Sequence, residues 1–200
     1  MSIDILVDHL EHAVVVRFTR PELRNPLSFS VLGRLDQLLD NLEGRNQTET
    51  VVFTGAGDIF ASGANLREIS ALNSAGAPAF AVRGQTLMSR IAALPQITIA
   101  AINGYCFGGA LDLALACNKR IASKTATFAH PGAGLGIITG WGGTQRLPRL
   151  VGRANALEMF FTAQPINAGR ALRIGLVDLI ADDIFNNELL DLDTSQVEDQ

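Results

Sequence analysis

Two stretches of the chain, VVFTGAGDIFASGANLREI (51–69) and IAAINGYCFGGALDLALAC (99–117), share one design. An apolar strand-like run leads into a glycine-rich loop, and the loop opens a helical pattern. Glycine lets a ligand approach the main chain closely. The first N–H groups of a helix lack intrahelical partners and receive negative charge. Two such junctions facing one another place two backbone donors around one oxygen atom, which is an oxyanion hole. Two ordinary glycine turns leave the same pattern, since helix N-termini are common. A third stretch, FAHPGAGLG (128–136), is built to hold an unusual backbone shape, and its only ionisable side chain is His130.

The elements that must position these loops follow from periodicity. AVVVRFT (13–19) is a β-branched strand, with IDILV paired to it across the DHLEH turn. A helix beginning at Ser28 or Ser30 carries Val31, Leu35, Leu38, Leu39 and Leu42 on one face. TVVFTG (50–55) is apolar on both faces, as expected of a covered strand. A second helix spans Pro78 to Leu94 and ends at Pro95, and ITIAAING repeats the strand–glycine–loop plan. ALDLALAC is helical, KRIASKT a strand, WGGTQRLPRLVG and RANALEMFFT helical, and GLVDLI a closing strand. Strands alternating with helices predict an α/β domain with right-handed crossovers, over residues 1–180, followed by a short acidic tail over 181–200.

Composition narrows the partners. The chain of 200 residues is 48% hydrophobic, enough for one well-buried domain. Seven of its 20 acidic residues and none of its 16 basic ones lie in 181–200, so the remaining body carries a net charge of +3. That balance suits an anionic small molecule and lacks the dense basic stripe of a nucleic-acid binder. The apolar runs are too interrupted to span a membrane, and the acidic start MSIDILVDHLEH does not resemble a secretory signal. Cys106 and Cys117 read as reduced core residues of a cytoplasmic protein. His9, His12 and His130 lack partners at metal-ligand spacing. A dinucleotide fingerprint is absent, because Phe60 stands where GAGDIF would need its third glycine.

RPELRNPLS, FTGAGDIFASGANL, INGYCFGGALDLALAC and GLGIITGWGGTQRLPRLVGRANALEM run in order from about Arg20 to Ile180 and resemble the crotonase, or enoyl-CoA hydratase/isomerase, superfamily. The resemblance implies a spiral of repeated ββα units assembled as a homo-oligomer, a trimer or a pair of trimers. It implies an acyl-CoA thioester as substrate, with coenzyme A entering as part of that substrate and no tightly bound cofactor. Ala64 and Gly109 would be the oxyanion-hole donors, stabilising a thioester enolate. Arg24 and Pro26 fall where the family touches the nucleotide end of coenzyme A, and Ala64, Asn65, Leu66 and Arg67 where it grips the pantetheine and thioester. Arg24 and Arg67 could pair with phosphates, although either is equally readable as a solvated surface charge.

The chain also departs from that pattern. Hydratases of the family hold water between two glutamates, and the matching positions here are Asp112 and Gly132. The dienoyl-CoA isomerase branch pairs an Asp with further acids at positions that are Gly132 and Gly140 in this chain. Asp112 is therefore expected to be the sole acid/base, its pKa raised if it is buried; an Asp in a first helical turn is otherwise only a dipole-favoured charge. His130 is a further acid/base candidate, and Trp141 is expected to line the acyl pocket or pack in the core. Asn65 replaces the usual Asp and still caps a helix. The chain ends soon after GLVDLI, where the family continues with helices, and only DIFNNELLDL could make another. The resulting expectation is an enoyl-CoA hydratase/isomerase-type lyase or isomerase. The alternatives are a decarboxylase or thioesterase of the same fold, or a crotonase-like subunit with weak or no catalysis.

Overall fold

A computed structural model describes residues 4–43, 50–182 and 184 of the chain. The N-terminal unit holds the hairpin β1 (Ile5–His9) and β2 (Ala13–Phe18), then β3 (Pro26–Leu27) and helix α1 (Phe29–Leu42). Next come β4 (Thr50–Gly55), β5 (Ile59–Ala61), β6 (Gly63–Ala64), α2 (Leu66–Ser70) and α3 (Gly76–Ala92). A third unit is β7 (Ile97–Ile102), β8 (Tyr105–Phe107) and α4 (Gly109–Ala116), followed by β9 (Lys119–Ser123) and β10 (Thr127–Ala129). The C-terminal part contains α5 (Gly143–Val151), α6 (Arg153–Thr162), β11 (Ile166–Asn167), α7 (Ala168–Arg173) and β12 (Leu179–Ala181).

The long strands form one sheet in the order β1-β2-β4-β7-β9-β12, and the short ones a second sheet, β11-β10-β8-β5. Among the described residues, only the β1–β2 and β10–β11 pairs of these sheets are antiparallel. Each turn of the spiral thus contributes a long strand, a sharp corner and a short strand before the chain moves on. The strands of the second sheet, two or three residues each, are absent from the sequence reading, because so few residues carry no measurable period. The closing strand shrinks to Leu179–Ala181 and the second helix begins at Gly76. DIFNNELLDL, apart from Ile184, and nearly all of the acidic tail lie outside the described residues.

Period-two alternation explains why this sheet is apolar on both sides. Val14, Val16, Val51, Phe53, Ala100 and Ile102 join the main core with α1, α3 and α4, while Val15, Val52, Ile99 and Ala101 form a second cluster. Helix α1 presents Val31, Leu32, Leu35, Leu38, Leu39 and Leu42 to the core, and its N-terminus is capped by the Ser28 side chain accepting from the Val31 N–H. Such a cap contributes about 1 kcal/mol. No helix among the described residues is long and apolar enough to cross a membrane.

The corners stack on one another through buried asparagines. Asn103 accepts from the Gly55 N–H at 3.1 Å and donates to the Gly57 carbonyl at 2.7 Å. Asn25 accepts from the Arg20 N–H at 2.6 Å and donates to the Ile59 carbonyl at 2.8 Å. A Cβ on Gly104 would stand 1.8 Å from the Asp58 carbonyl oxygen, so only glycine lets these corners nest.

Candidate active site

The two glycine junctions meet. β3 and β6 pair in parallel, with Pro26 opposite Gly63 and Leu27 opposite Ala64. Gly63 has φ +86°, and a Cβ there would lie 2.7 Å from the Gly109 nitrogen and 2.6 Å from the Phe107 carbonyl oxygen. A Cβ on Gly109 would in turn lie 3.4 Å from the Ala64 nitrogen. The main chains at Ala64 and Gly109 are thus in near contact, and glycine permits this because a side chain at 63 would separate them. Gly109 opens α4, where its N–H has no preceding carbonyl of the helix to bond.

Trp141 closes the back of this junction. It is buried, and its ring lies 2.5 Å from where a Gly109 Cβ would be and 2.0 Å from where a Gly84 Cβ would be. Its ring centroid is 5.4 Å from that of Phe80, which packs edge-on to Phe29. Trp141 packs in the core, with its ring directly behind Gly109.

Asp112 lies three residues after Gly109, one turn along the same face of α4. It is fully buried, which rules out a solvated first-turn charge. The Thr139 hydroxyl donates to its Oδ2. A Cβ on Gly143 would fall 2.1 Å from its Oδ1, so the second glycine of WGG makes room for the carboxylate. Burial raises the Asp112 pKa to about 6, against the opposing influences of the Thr139 hydroxyl, the Trp141 amide, the Arg146 guanidinium and the Gly143 amide. His130 is also buried, with Nε2 3.7 Å from Asp112 Oδ1 and its ring against Phe160. Among the described residues neither ring nitrogen of His130 has a hydrogen-bond partner, and burial lowers its pKa to about 4. At neutral pH the pair is a carboxylate beside a neutral imidazole.

The position matching a second carboxylate is obstructed. A Cβ on Gly132 would stand 2.5 Å from the Ile137 carbonyl oxygen, whereas at Gly140 nothing lies within 4 Å. The loop between them exposes Leu135, Ile137 and Ile138.

The remaining expected contacts lie along one edge. Arg24 sits in a left-handed turn, φ 63°, with its guanidinium 5.9 Å from the Tyr105 ring centroid. Pro26 and Asn65 help line a cavity of about 130 Å³ with Phe18, Ser28 and Val31. Asn65 caps α2 by accepting from the Arg67 N–H at 3.0 Å, as its residue type predicts. Leu66 and Arg67 are exposed. Sequence reasoning missed Thr139 and Gly143 at the carboxylate and Asn25 behind the RNP turn. Of these only the paired glycines of WGGTQ left a signal.

A spiral of strand–corner–strand–helix units that brings two glycine-opened backbone N–H groups beside a buried carboxylate defines a crotonase-type fold. The family model described as "Enoyl-CoA hydratase/isomerase" matches residues 10–194. The chain is 38% identical over 180 residues to a "Short-chain-enoyl-CoA hydratase" of Clostridium acetobutylicum, covering 90% of this chain and 69% of that one. It is also 38% identical over 178 residues to a "Crotonyl-CoA hydratase" of Syntrophomonas wolfei, covering 88% and 68%. The crystal structure of an enoyl-CoA hydratase from Bacillus anthracis superimposes with a TM-score of 0.89 at 35% identity, over 94% of this chain and 74% of that one. The chain belongs to the enoyl-CoA hydratase/isomerase family.

Proposed function

We propose that the protein is an acyl-CoA enzyme that forms a thioester enolate, with the Ala64 and Gly109 N–H groups as oxyanion hole and Asp112 as the single acid/base. The observation that carries this reading is the near contact of the Ala64 and Gly109 main chains, one helical turn from a buried carboxylate. With a pKa of about 6, Asp112 is mostly ionised at pH 7 and still basic enough to take a proton. Arg24, Pro26 and residues 64–67 hold the coenzyme A part of the substrate, and Trp141 bounds the thioester end.

One carboxyl suffices for hydration if it acts twice. Asp112 takes a proton from water as the water oxygen bonds to the substrate β-carbon. The π electrons pass to the thioester oxygen, where the two N–H groups receive the charge. Neutral Asp112 then returns that proton to the α-carbon. The hydratase names of the relatives at 38% identity support this direction. The resemblance extends the reading to a cytoplasmic homo-oligomer, a trimer or a pair of trimers, which light scattering would measure.

Gly132 favours a second reading, because no carboxylate stands there. Decarboxylation or thioester hydrolysis needs the same oxyanion hole and fewer placed acids, and a subunit that only binds acyl-CoA needs none. The test is mass spectrometry of a panel of unsaturated and carboxylated acyl-CoAs after incubation with the protein. A gain of water is the expected result. Loss of carbon dioxide or of coenzyme A would install the decarboxylase or thioesterase instead, and no change with retained binding would leave the subunit.

A further inference from the structure

The loop that closes over the carboxylate is pinned on both sides of Thr139. On one side the Ile137 N–H donates to the Gly132 carbonyl at 3.0 Å. On the other, Gln85 Nε2 on α3 donates to the Gly140 carbonyl at 2.9 Å. Between these anchors the Thr139 side chain is half-buried and gives its hydroxyl to Asp112 Oδ2. The Ile137 carbonyl occupies the volume a Gly132 side chain would need, its oxygen 2.5 Å from the Cβ position. Gly132 and Thr139 are therefore two sides of one arrangement. The absence of a side chain at 132 lets the loop fold inward, and the inward loop delivers the hydroxyl.

We infer that Thr139 is the positioning residue for Asp112, and that Gly132 is glycine because the loop carrying Thr139 fills the place of a second carboxylate. The inference rests on Asp112 being the acid/base of the proposed reaction. Asp112 has one oxygen held by Thr139, while its Oδ1 has no hydrogen-bond partner among the described residues. Thr139 thus selects which oxygen stays free to exchange a proton. The other groups facing the carboxyl are His130, neutral near pH 7, the Arg146 guanidinium, and the Cys106 thiol, which burial keeps protonated. The Trp141 and Gly143 backbone amides also face the carboxyl and favour its charged form, so Thr139 supplies its one side-chain hydrogen bond among the described residues, and removing that hydroxyl leaves only main-chain donors near it.

The experiment is a carbon-13 NMR titration of side-chain carboxyls, with Asp112 assigned by comparison with Asp112→Asn, run beside the pH profile of kcat/KM on an enoyl-CoA. Donation to an ionised acceptor favours the charged form. Thr139→Val should raise the Asp112 midpoint by about one pH unit and move the acidic limb of the profile up with it, while Thr139→Ser keeps both near wild type. Gly132→Glu should expel the loop, raise the same midpoint and gain no hydration. An unmoved midpoint in Thr139→Val would overturn the inference, as would a Gly132→Glu protein that hydrates faster with the midpoint unchanged. If the midpoint moves but Asp112→Asn turns over normally, the positioning contact stands and the acid/base role of Asp112 fails.

Discussion

Asp112 Oδ1 and His130 Nε2 stand 3.7 Å apart, and neither atom has a hydrogen-bond partner among the described residues. Burial reverses the order of the two groups on the pH scale, taking the carboxyl up to about 6 and the imidazole down to about 4. The neutral form of each is the one the interior prefers.

Stability should therefore depend on pH in two opposing ways. For Asp112 the folded value lies above the unfolded one, so its contribution is fully present below about pH 4 and is lost as pH rises through about 6. For His130 the folded value lies below the unfolded one, so its contribution is present above about pH 6.5 and is lost as pH falls through about 4. The slopes largely cancel between pH 4 and 6 in the wild type. Urea titrations should show Asp112→Asn gaining stability steadily from pH 4 to 6.5, by an amount of order 2–3 kcal/mol. His130→Gln should lose stability over the same interval. Parallel curves for all three proteins would contradict the assignment.

Gly109 is held to glycine by the Trp141 ring, 2.5 Å from its Cβ position. Gly109→Ala should cost about 1–3 kcal/mol through overpacking and lower turnover by roughly 100-fold as the donor is displaced. Gly134→Ala is the control, since a Cβ there meets nothing within 4 Å. Thermal melts and steady-state rates read both, and equal effects at 109 and 134 would count against a shaped oxyanion junction.

The parts visible in the sequence are those with a local signature. The leucines of α1, the alternating strands and the two glycine junctions each leave a period or a composition that short-range rules decode. Asp112 was legible because it stands where the hydratases that the chain resembles carry their first glutamate. The Thr139 contact was not, since it bridges 27 positions from a segment, GIITG, with no periodicity of its own. The obstruction at Gly132 was equally hidden. A missing carboxylate is visible in the sequence, but the Ile137 carbonyl that fills its place is a fact of loop geometry. The RNP turn was recognised for Arg24 and Pro26, yet the residue that builds it is the buried Asn25 between them.

Asn25→Ala would remove the contacts that tie this turn to the Arg20 N–H and the Ile59 carbonyl. Leaving buried polar groups unpaired costs about 1–3 kcal/mol. The expected result is a lower unfolding midpoint and weaker acyl-CoA binding, because Pro26 and Ala64 lose their shared support, with the acidic limb of the pH profile unchanged. A shifted pH profile would mean that the turn communicates with Asp112 and would contradict a purely supporting role for Asn25.

Enolate formation by Asp112 in the Ala64–Gly109 hole is read by α-proton exchange. A saturated acyl-CoA that cannot be hydrated is incubated in heavy water with the wild type and with Asp112→Asn, and deuterium at the α-carbon is read by mass spectrometry. Incorporation is expected with the wild type, at a rate at least ~100-fold lower with Asp112→Asn, acyl-CoA binding being retained. Equal incorporation by the two proteins, or none by a wild type that binds the thioester, would rule out Asp112 as the base of enolate formation.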